Sequence, residues 1–475
     1  MPINRRDFLY ASGACAGLAV APGIGSAATV STSTNVSSLY RSPNEQLGIG
    51  YIGTGIRFHT SLGNAGTNYG PGIAVADVDF LQAGKAVQRL TERHREKKYP
   101  IAIQAHEDYR KVLDNKEIDV VFIASPDHWH TKHVIEAMRA EKDVYCEKPL
   151  TLTIAEGQLI EKVQAETKRI VQVGTQQRTE FGQRFSKAAA IVRDGRVGKV
   201  KLVTICVGGS RTCKPLPIVE PPKSLNWDMW LGQAPMTDYR CEPNVTDIEG
   251  WGAGHPFGRT HRYYRWFYEY SGGKLTDWGA HHVDIAMIAV DKMGDDIGNI
   301  EINPLEVSHP VNFEKGMPTK DDQFNCATAF KVELKFDDGL VMHIRHEAQA
   351  DKGFQNGIMF EGDKGKMLVN RGKLVGRPVE DLKSNPLPSD AIEKLYGQPM
   401  PKSHADNFIE CVKSRKTPIS DLKTHNRMLD ICHAVNISMR LNRKLTYDPK
   451  NRKFIGDEIA NSFVSREQRK GFELS

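Results

Sequence analysis

The sequence predicts an α/β fold: an N-terminal doubly wound parallel sheet, then an α+β domain with an open, mainly antiparallel sheet. Three observations predict it. Over residues 47–174, short apolar strands alternate with helical stretches across short loops, the pattern of a parallel sheet covered on both faces. The first strand runs directly into a glycine turn, "YIGTG", as a phosphate-binding turn does. After 174 the period changes to two: "KVKLVTICVGG", "ATAFKVELKFDDGLVMHIRHEAQ" and "GIMFEGDKGKMLVNRGKLVG" alternate apolar and polar residues, with DDG and GDKG as hairpin turns.

In order, "LGIGYI" reads as the first strand and "GIAVADVD" (72–79) as the second. A helix over 81–98, a strand "YPIAIQA" and a helix "EDYRKVLDN" follow, and "DVVFIAS" (119–125) is a β-branched fourth strand. The helix "HTKHVIEAMRAE", a short strand in "DVYCEKPL" and a sixth strand "RIVQVGTQ" complete the sheet. The glycines permit two registers. A literal G-x-G-x-x-G lies at Gly48, Gly50 and Gly53, but "RSPNEQ" before it is no strand. In the second register Gly53 and Gly55 follow a strand, and Phe58 stands in the third position. The strand-then-turn requirement selects the second, so the working turn is Gly53-Thr54-Gly55. Phe58 denies the helix the close approach that a glycine allows, which predicts a displaced helix start or a longer loop through "FHTSLGNAGTNYGPG". Asp77 closes the second strand 24 positions after Gly53, about where an acid meets the ribose hydroxyls of a dinucleotide. A carboxylate there repels a 2′-phosphate and favours NAD over NADP.

The 475 residues suffice for two or three domains. A net charge of +6 comes from 64 basic and 58 acidic residues that are interspersed, which argues against a nucleic-acid surface. Residues 1–28 carry Arg5 and Arg6, then Phe8 and Leu9, a mild apolar run and a small-residue site at Ser26-Ala27-Ala28. This order reads as a twin-arginine signal peptide, with export to the periplasm and engagement of the twin-arginine machinery; residues 29–46 read as a linker. No later segment reaches ~18 uninterrupted apolar residues, so no membrane anchor is expected. Seven cysteines remain beyond the signal, with no C-x-x-C. Buried free thiols are the expected state, although a bridge among Cys206, Cys213 and Cys241 stays open.

Glu147-Lys148-Pro149, after "SPDHWH" (125–130), resembles the signature of the Gfo/Idh/MocA oxidoreductase family. "LNWDMWLGQAP" (225–235), "RYYRWFYEYSGGKLTDWGAHHVDIAM" (262–287) and "YDPKNRKFIGDEIANSFVSREQRKGFEL" (447–474) are similar to segments of an exported bacterial branch, so the resemblance runs over roughly 47–475. It implies a Rossmann domain over 47–174 and a C-terminal substrate and oligomerisation domain over 175–475, with the active site at their junction and the open sheet serving a homo-oligomer. It also implies that Lys148 acts in the active site, its ammonium stabilising a developing alkoxide, and that the Lys148-Pro149 peptide is cis. Asp277 and His281 share a helix face at i and i+4; the resemblance implies that His281 is the general base, assisted by Asp277. Oxidising a carbinol sends a hydride to nicotinamide and a proton to a base, and histidine suits the second task near neutral pH.

Around this triad, Asp284 at i+7 is a supporting candidate, and His282 points about 100° away from His281. That divergence argues against a shared metal ion. Ser125, Pro126, Glu147 and Lys148 join the cofactor-binding set. His128 and His130 are placed in a loop at a strand end, and His130 is the better cofactor contact of the two. Arg178 and the run Tyr263, Tyr264, Trp266, Phe267 and Tyr268 either line a sugar pocket or pack a core. The helices in "SHADNFIECVKSRK" and "THNRMLDICHAVNISMRLN" are expected to cover the domain junction.

The leading expectation is an NAD(P)-dependent oxidoreductase of a sugar or cyclic polyol. Because a periplasm holds no free nicotinamide pool, the cofactor is expected to be loaded in the cytoplasm, to stay tightly bound and to be recycled on the protein. The alternative is a redox-neutral glycoside-cleaving enzyme working through a transient keto sugar. A non-enzymatic sugar sensor is disfavoured by the presence of Lys148, Asp277 and His281 together.

Overall fold

A computed structural model describes residues 46–246, 255–294, 296–347 and 356–474. The stretches expected to be a signal peptide (1–28) and, except for residue 46, a linker (29–46) lie outside the described residues. The first sheet has six strands: β1 (Ile49–Ile52), β2 (Gly72–Ala76), β3 (Gln104–His106), β4 (Val120–Ile123), β5 (Asp143–Cys146) and β6 (Val171–Val173), in the order β3-β2-β1-β4-β5-β6. This is the doubly wound order of a dinucleotide fold. β1 runs parallel to β2, β2 to β3, and β5 to β6. β1, β2 and β4 are buried along their whole length, as strands covered on both faces must be. β3 is shorter than the expected strand, because the chain ahead of it is held by the preceding helix: Tyr99 N donates to His94 O, and His94 Nδ1 donates to Ile101 O.

The chain forms two compact units, one reaching Phe122 and including Pro221–Trp230, the other comprising Ile123–Glu220 and Leu231 onward. In the first, α1 (Phe80–Lys97) is N-capped by the Asp79 carboxylate on Leu81 N, a cap that contributes about 1 kcal/mol. The short helix α2 (Arg110–Asp114) follows β3.

In the second unit, α3 (Asp127–Arg139), α4 (Ile154–Thr167) and α5 (Arg184–Arg193) precede a nine-stranded sheet. Its strands are β7 (Val200–Cys206), β8 (Ile300–Ser308), β9 (Ala329–Phe336), β10 (Val341–Arg345), β11 (Gly357–Gly362), β12 (Gly365–Val369), β13 (Leu374–Val375), β14 (Leu445–Asp448) and β15 (Lys453–Phe454), ordered β13-β12-β11-β7-β10-β9-β8-β14-β15. The sheet is mainly antiparallel, with β10 and β7 parallel. The DDG turn joins β9 to β10 with Gly339 at φ 84°. Phe330, Val332, Leu334 and Phe336 of β9 face the core, alternating with more exposed neighbours. Helices α6 (Gly273–Ala289), α7 (His404–Ser414) and α8 (Leu422–Leu441) belong to this unit, and α8 packs on α4, α6 and β8. The seven cysteines of the described residues are free thiols; Cys206 and Cys241 are buried and Cys213 half-buried.

Candidate active site

The nucleotide turn is built by the end of β1. Gly53 adopts φ +80°, a conformation open to glycine, and its N donates to Ala76 O at 2.9 Å. Thr54 is fully buried, and both its backbone N (2.7 Å) and its Oγ1 (3.1 Å) donate to Asp77 Oδ2. Asp77 Oδ1 accepts from Asp79 N at 2.9 Å. The predicted ribose acid therefore clasps the turn that it was expected to serve. A side chain added at Gly55 meets no protein atom within 4 Å; this backbone stays open to a ligand, and the set fits a dinucleotide pyrophosphate.

The expected displaced helix or longer loop is corrected. A π-helical turn, Phe58–Leu62, runs straight into a short helix, Gly63–Gly66. Phe58 is 1% exposed and packs edge-on against Tyr51 with ring centroids 5.1 Å apart. Close approach is delivered later. A Cβ at Gly63 would lie 2.8 Å from the Phe58 ring, and one at Gly66 would lie 2.3 Å from Tyr51 Oη. The extra residue of the π turn, a device common near functional sites, lets the ring enter the core.

Glu147-Lys148-Pro149 follows β5, and the Lys148-Pro149 peptide is cis. Lys148 Nζ donates to Asp277 Oδ1 at 2.6 Å and to the Asp277 carbonyl at 2.7 Å. Lys148 and Asp277, 129 residues apart, are thus joined directly, and His281 lies one turn further along α6, 4% exposed. Burial alone raises the Asp277 carboxyl, but Lys148, then Arg265 and Lys274, outweigh it and hold the group ionised, well below the usual carboxylate range. Burial pulls the Lys274 ammonium down, and its Nζ lies 5.8 and 5.7 Å from the Trp266 and Trp278 ring centres.

Three buried histidines hold the residues that follow Lys148. His130 Nδ1 donates to Pro149 O (2.7 Å), Leu150 N donates to His425 Nε2 (3.3 Å), and His433 Nε2 bonds Thr151 Oγ1 (3.1 Å). Burial keeps His425 and His433 neutral, the latter pulled down to about 4. Glu156 of α4 adds an acceptor for Leu152 N at 2.7 Å. Glu147 is buried; it accepts from Gln176 Nε2 at 2.9 Å and fills the place of a Gly174 side chain, whose Cβ would lie 2.8 Å from its carboxylate.

Several expectations change here. His128 and His130 are not on a loop: α3 starts at Asp127, directly after Pro126, which holds φ −61° at the cap. Proline pre-sets that angle, so the helix begins sooner than the His-rich composition suggests. Ser125 Oγ bonds His133 Nδ1 at 3.0 Å. Arg178 does not line a sugar pocket. It is 2% exposed and ion-paired to the fully buried Asp284, Nε to Oδ2 at 2.8 Å, because a buried guanidinium needs a carboxylate partner. Asp284 therefore supports Arg178 rather than His281. His282 bonds Gln177 Oε1 and Asn356 Oδ1 and is pulled by burial to about 4. Tyr263, Tyr264, Trp266 and Phe267 are core residues, while Tyr268 is half-buried.

Sequence reasoning gave no role to Asp127 or Ser271: Tyr264 Oη and Ser271 Oγ donate to the two oxygens of Asp127, at 2.7 and 2.5 Å. It also missed the cations around Asp277. Arg265 and Lys274 supply the positive field, and Lys274 was findable, since it stands at i−3 from Asp277. Among the described residues no group of three or more His, Cys, Asp or Glu side chains is placed to hold a metal ion.

Comparison with known proteins decides the family. The model described as "Oxidoreductase family, NAD-binding Rossmann fold" matches residues 47–175, and "Oxidoreductase family, C-terminal alpha/beta domain" matches residues 209–474. The chain belongs to the Gfo/Idh/MocA oxidoreductase family. It is similar to inositol 2-dehydrogenase of Salmonella typhimurium, 32% identical over 28% of this chain and 37% of the relative. It is also similar to myo-inositol 2-dehydrogenase of Thermotoga maritima, 30% identical over 39% of this chain and 55% of that one. α-N-acetylgalactosaminidase of Shewanella oneidensis is 27% identical over 42% of this chain and 44% of its own. The chain thus spans roughly a third to a half of these relatives' lengths. Among solved structures, the fold matches the WlbA dehydrogenase of Bordetella pertussis in complex with NADH and UDP-GlcNAcA (TM-score 0.54, 17% identity, 84% of this chain, 97% of that one). It also matches a levoglucosan dehydrogenase in complex with NADH and L-sorbose (TM-score 0.55, 16% identity, 85% and 99%).

Proposed function

We propose that this Gfo/Idh/MocA protein is an NAD-dependent oxidoreductase that oxidises a hydroxyl of a sugar or cyclic polyol. The observation that carries the reading is the Lys148 ammonium fixed on both the carboxylate and the carbonyl of Asp277, one helical turn before His281. The inositol dehydrogenases among its relatives support the substrate class.

Gly53, Thr54 and Gly55 hold the pyrophosphate and Asp77 the ribose; Ser125, Pro126, His130, Glu147 and Lys148 complete the cofactor contacts. Bound NAD supplies the two-electron oxidant. Lys148 donates a hydrogen bond to the reacting hydroxyl and stabilises its oxygen as negative charge develops, and His281 takes the proton. Asp277, held ionised, positions Lys148 through its carboxylate and carbonyl. The carboxylate of Asp77 disfavours a 2′-phosphate, hence NAD rather than NADP.

The twin-arginine pattern at Arg5 and Arg6 supports export in folded form to the periplasm with NAD already seated and retained. Denaturing the purified, exported protein and identifying the released nucleotide tests this: one equivalent of NAD is expected, and a protein that arrives empty and needs free nucleotide contradicts retention. The α-N-acetylgalactosaminidase relative favours one second reading, redox-neutral glycoside cleavage. Aglycone release without net nicotinamide reduction distinguishes the two.

A further inference from the structure

A cavity of about 1130 Å³ lies wholly within the second unit, and neither Lys148, Asp277 nor His281 lines it. Its polar groups are unusual. Arg259 is 1% exposed; its terminal nitrogens donate to Tyr270 Oη and Asp321 O and lie 3.9 and 4.0 Å from the Glu269 and Asp321 carboxylates. Its Nε, Asn436 Oδ1 (6% exposed) and Asp322 Oδ1, all on the wall, have no hydrogen-bond partner among the described residues. Arg440 lies over the Phe463 ring, 4.4 Å from its centre, and 5.1 Å from that of Tyr268. Its Nε donates to Gly316 O and its Nη2 lies 3.2 Å from Met317 Sδ, and it forms no ion pair among the described residues. Exposed Lys315 and Lys320 stand at the rim.

Buried polar groups call for partners. The Arg440 guanidinium asks for an acceptor, best a carboxylate, which arginine binds in planar fashion, and Arg259 Nε asks for one more acceptor. The amide and carboxylate oxygens ask for hydroxyl donors. A polyhydroxylated anion answers both. The space exceeds the ~300–1,000 Å³ that holds a drug-sized ligand, so it admits more than one sugar unit.

We propose that this cavity is a second carbohydrate site, separate from the catalytic residues, that binds a short acidic saccharide, its carboxylate on Arg440 and its hydroxyls on Arg259 Nε, Asn436 and Asp322. The inference stands independently of the catalytic reading.

Calorimetric titration of the holoprotein with digalacturonate, and with neutral cellobiose as control, tests it. Saturable binding of the acid alone is expected. Affinity should fall at least tenfold in Arg440→Met and several-fold in the exposed rim variant Lys315→Glu/Lys320→Glu, whose folding is not at stake, while Asp277→Asn binds as the unaltered protein does. Absence of saturable binding, equal binding of cellobiose, or binding abolished by Asp277→Asn and untouched by the rim charges overturns the proposal. An unaltered protein that binds the sugar acid but oxidises no sugar or polyol counts against the catalytic reading alone.

Discussion

An ammonium held by two acceptors of one residue has little freedom to swing, and Lys148 is so held by Asp277 at 2.6 and 2.7 Å. The Asp277 carboxyl sits below its ordinary range, so in acid the unfolded chain takes up the proton first. Stability from this group is complete above about pH 4 and drains away as pH falls further. Asp277→Asn is therefore expected to flatten the acid-side fall of the melting temperature; an unchanged acid slope contradicts the pairing. The same substitution should lower turnover by roughly 10²-fold, since Lys148 loses its anchor. At this scale, helical spacing made Asp277 and His281 legible as a pair, and "EKP" marked Lys148. The histidines on residues 149–151 were not legible: His425 and His433 arrive from 275 and 282 residues away, and no local pattern connects them. The sequence leaves Arg178 between a sugar pocket and a core, because a buried ion pair and a ligand-binding arginine look alike until the partner, Asp284, is seen.

The elements of the first sheet were readable because alternation, glycine turns and β-branched strands agree there. β8 was not read. Pro304 sits within it, a residue that argues against a strand, and the register shifts between Pro304 and Glu306 to accommodate it. The turn after β1 offers a sharper test. At Gly55 a side chain meets no protein atom, whereas at Gly66 it strikes Tyr51 Oη at 2.3 Å. Gly55→Ala is expected to leave the melting temperature within about 0.5 kcal/mol equivalent of the parent while weakening NADH binding tenfold or more. Gly66→Ala should lower stability by roughly 1–3 kcal/mol through overpacking. Thermal melts with and without NADH separate the two; a Gly55→Ala protein that binds NADH normally removes the turn from the cofactor site.

Across the molecule, the C-terminal stretch holds the second unit together. Arg466 Nε donates to Glu156 Oε1 at 3.2 Å, and its other nitrogens reach His128 O and Glu269 O. Ala155 N donates to Val464 O, and Phe472 packs edge-on against Trp129. Removing residues 464–475 leaves Glu156, 4% exposed, without its cation. The loss should be roughly 2 kcal/mol, below that of a fully buried pair because Arg466 keeps 17% of its side-chain exposure. A melting temperature lower by several degrees is expected, with Lys148 less well placed because Glu156 also holds Leu152 N. A truncated protein that melts and turns over like the full chain contradicts this role. The sequence marked the tail as distinctive but could not say what it touched, because its partners on α3 and α4 lie some 310 residues earlier.

The central claim is that Lys148 and His281 drive oxidation of a sugar or polyol hydroxyl by bound NAD. Mixing the NAD-loaded protein with a panel of sugars and cyclic polyols, and following the absorbance of reduced nicotinamide on the protein, tests it most directly. At least one member of the panel should reduce the cofactor, and Lys148→Met and His281→Ala should each slow that reduction by 10²-fold or more while retaining NAD. Reduction at an undiminished rate in either variant contradicts the account.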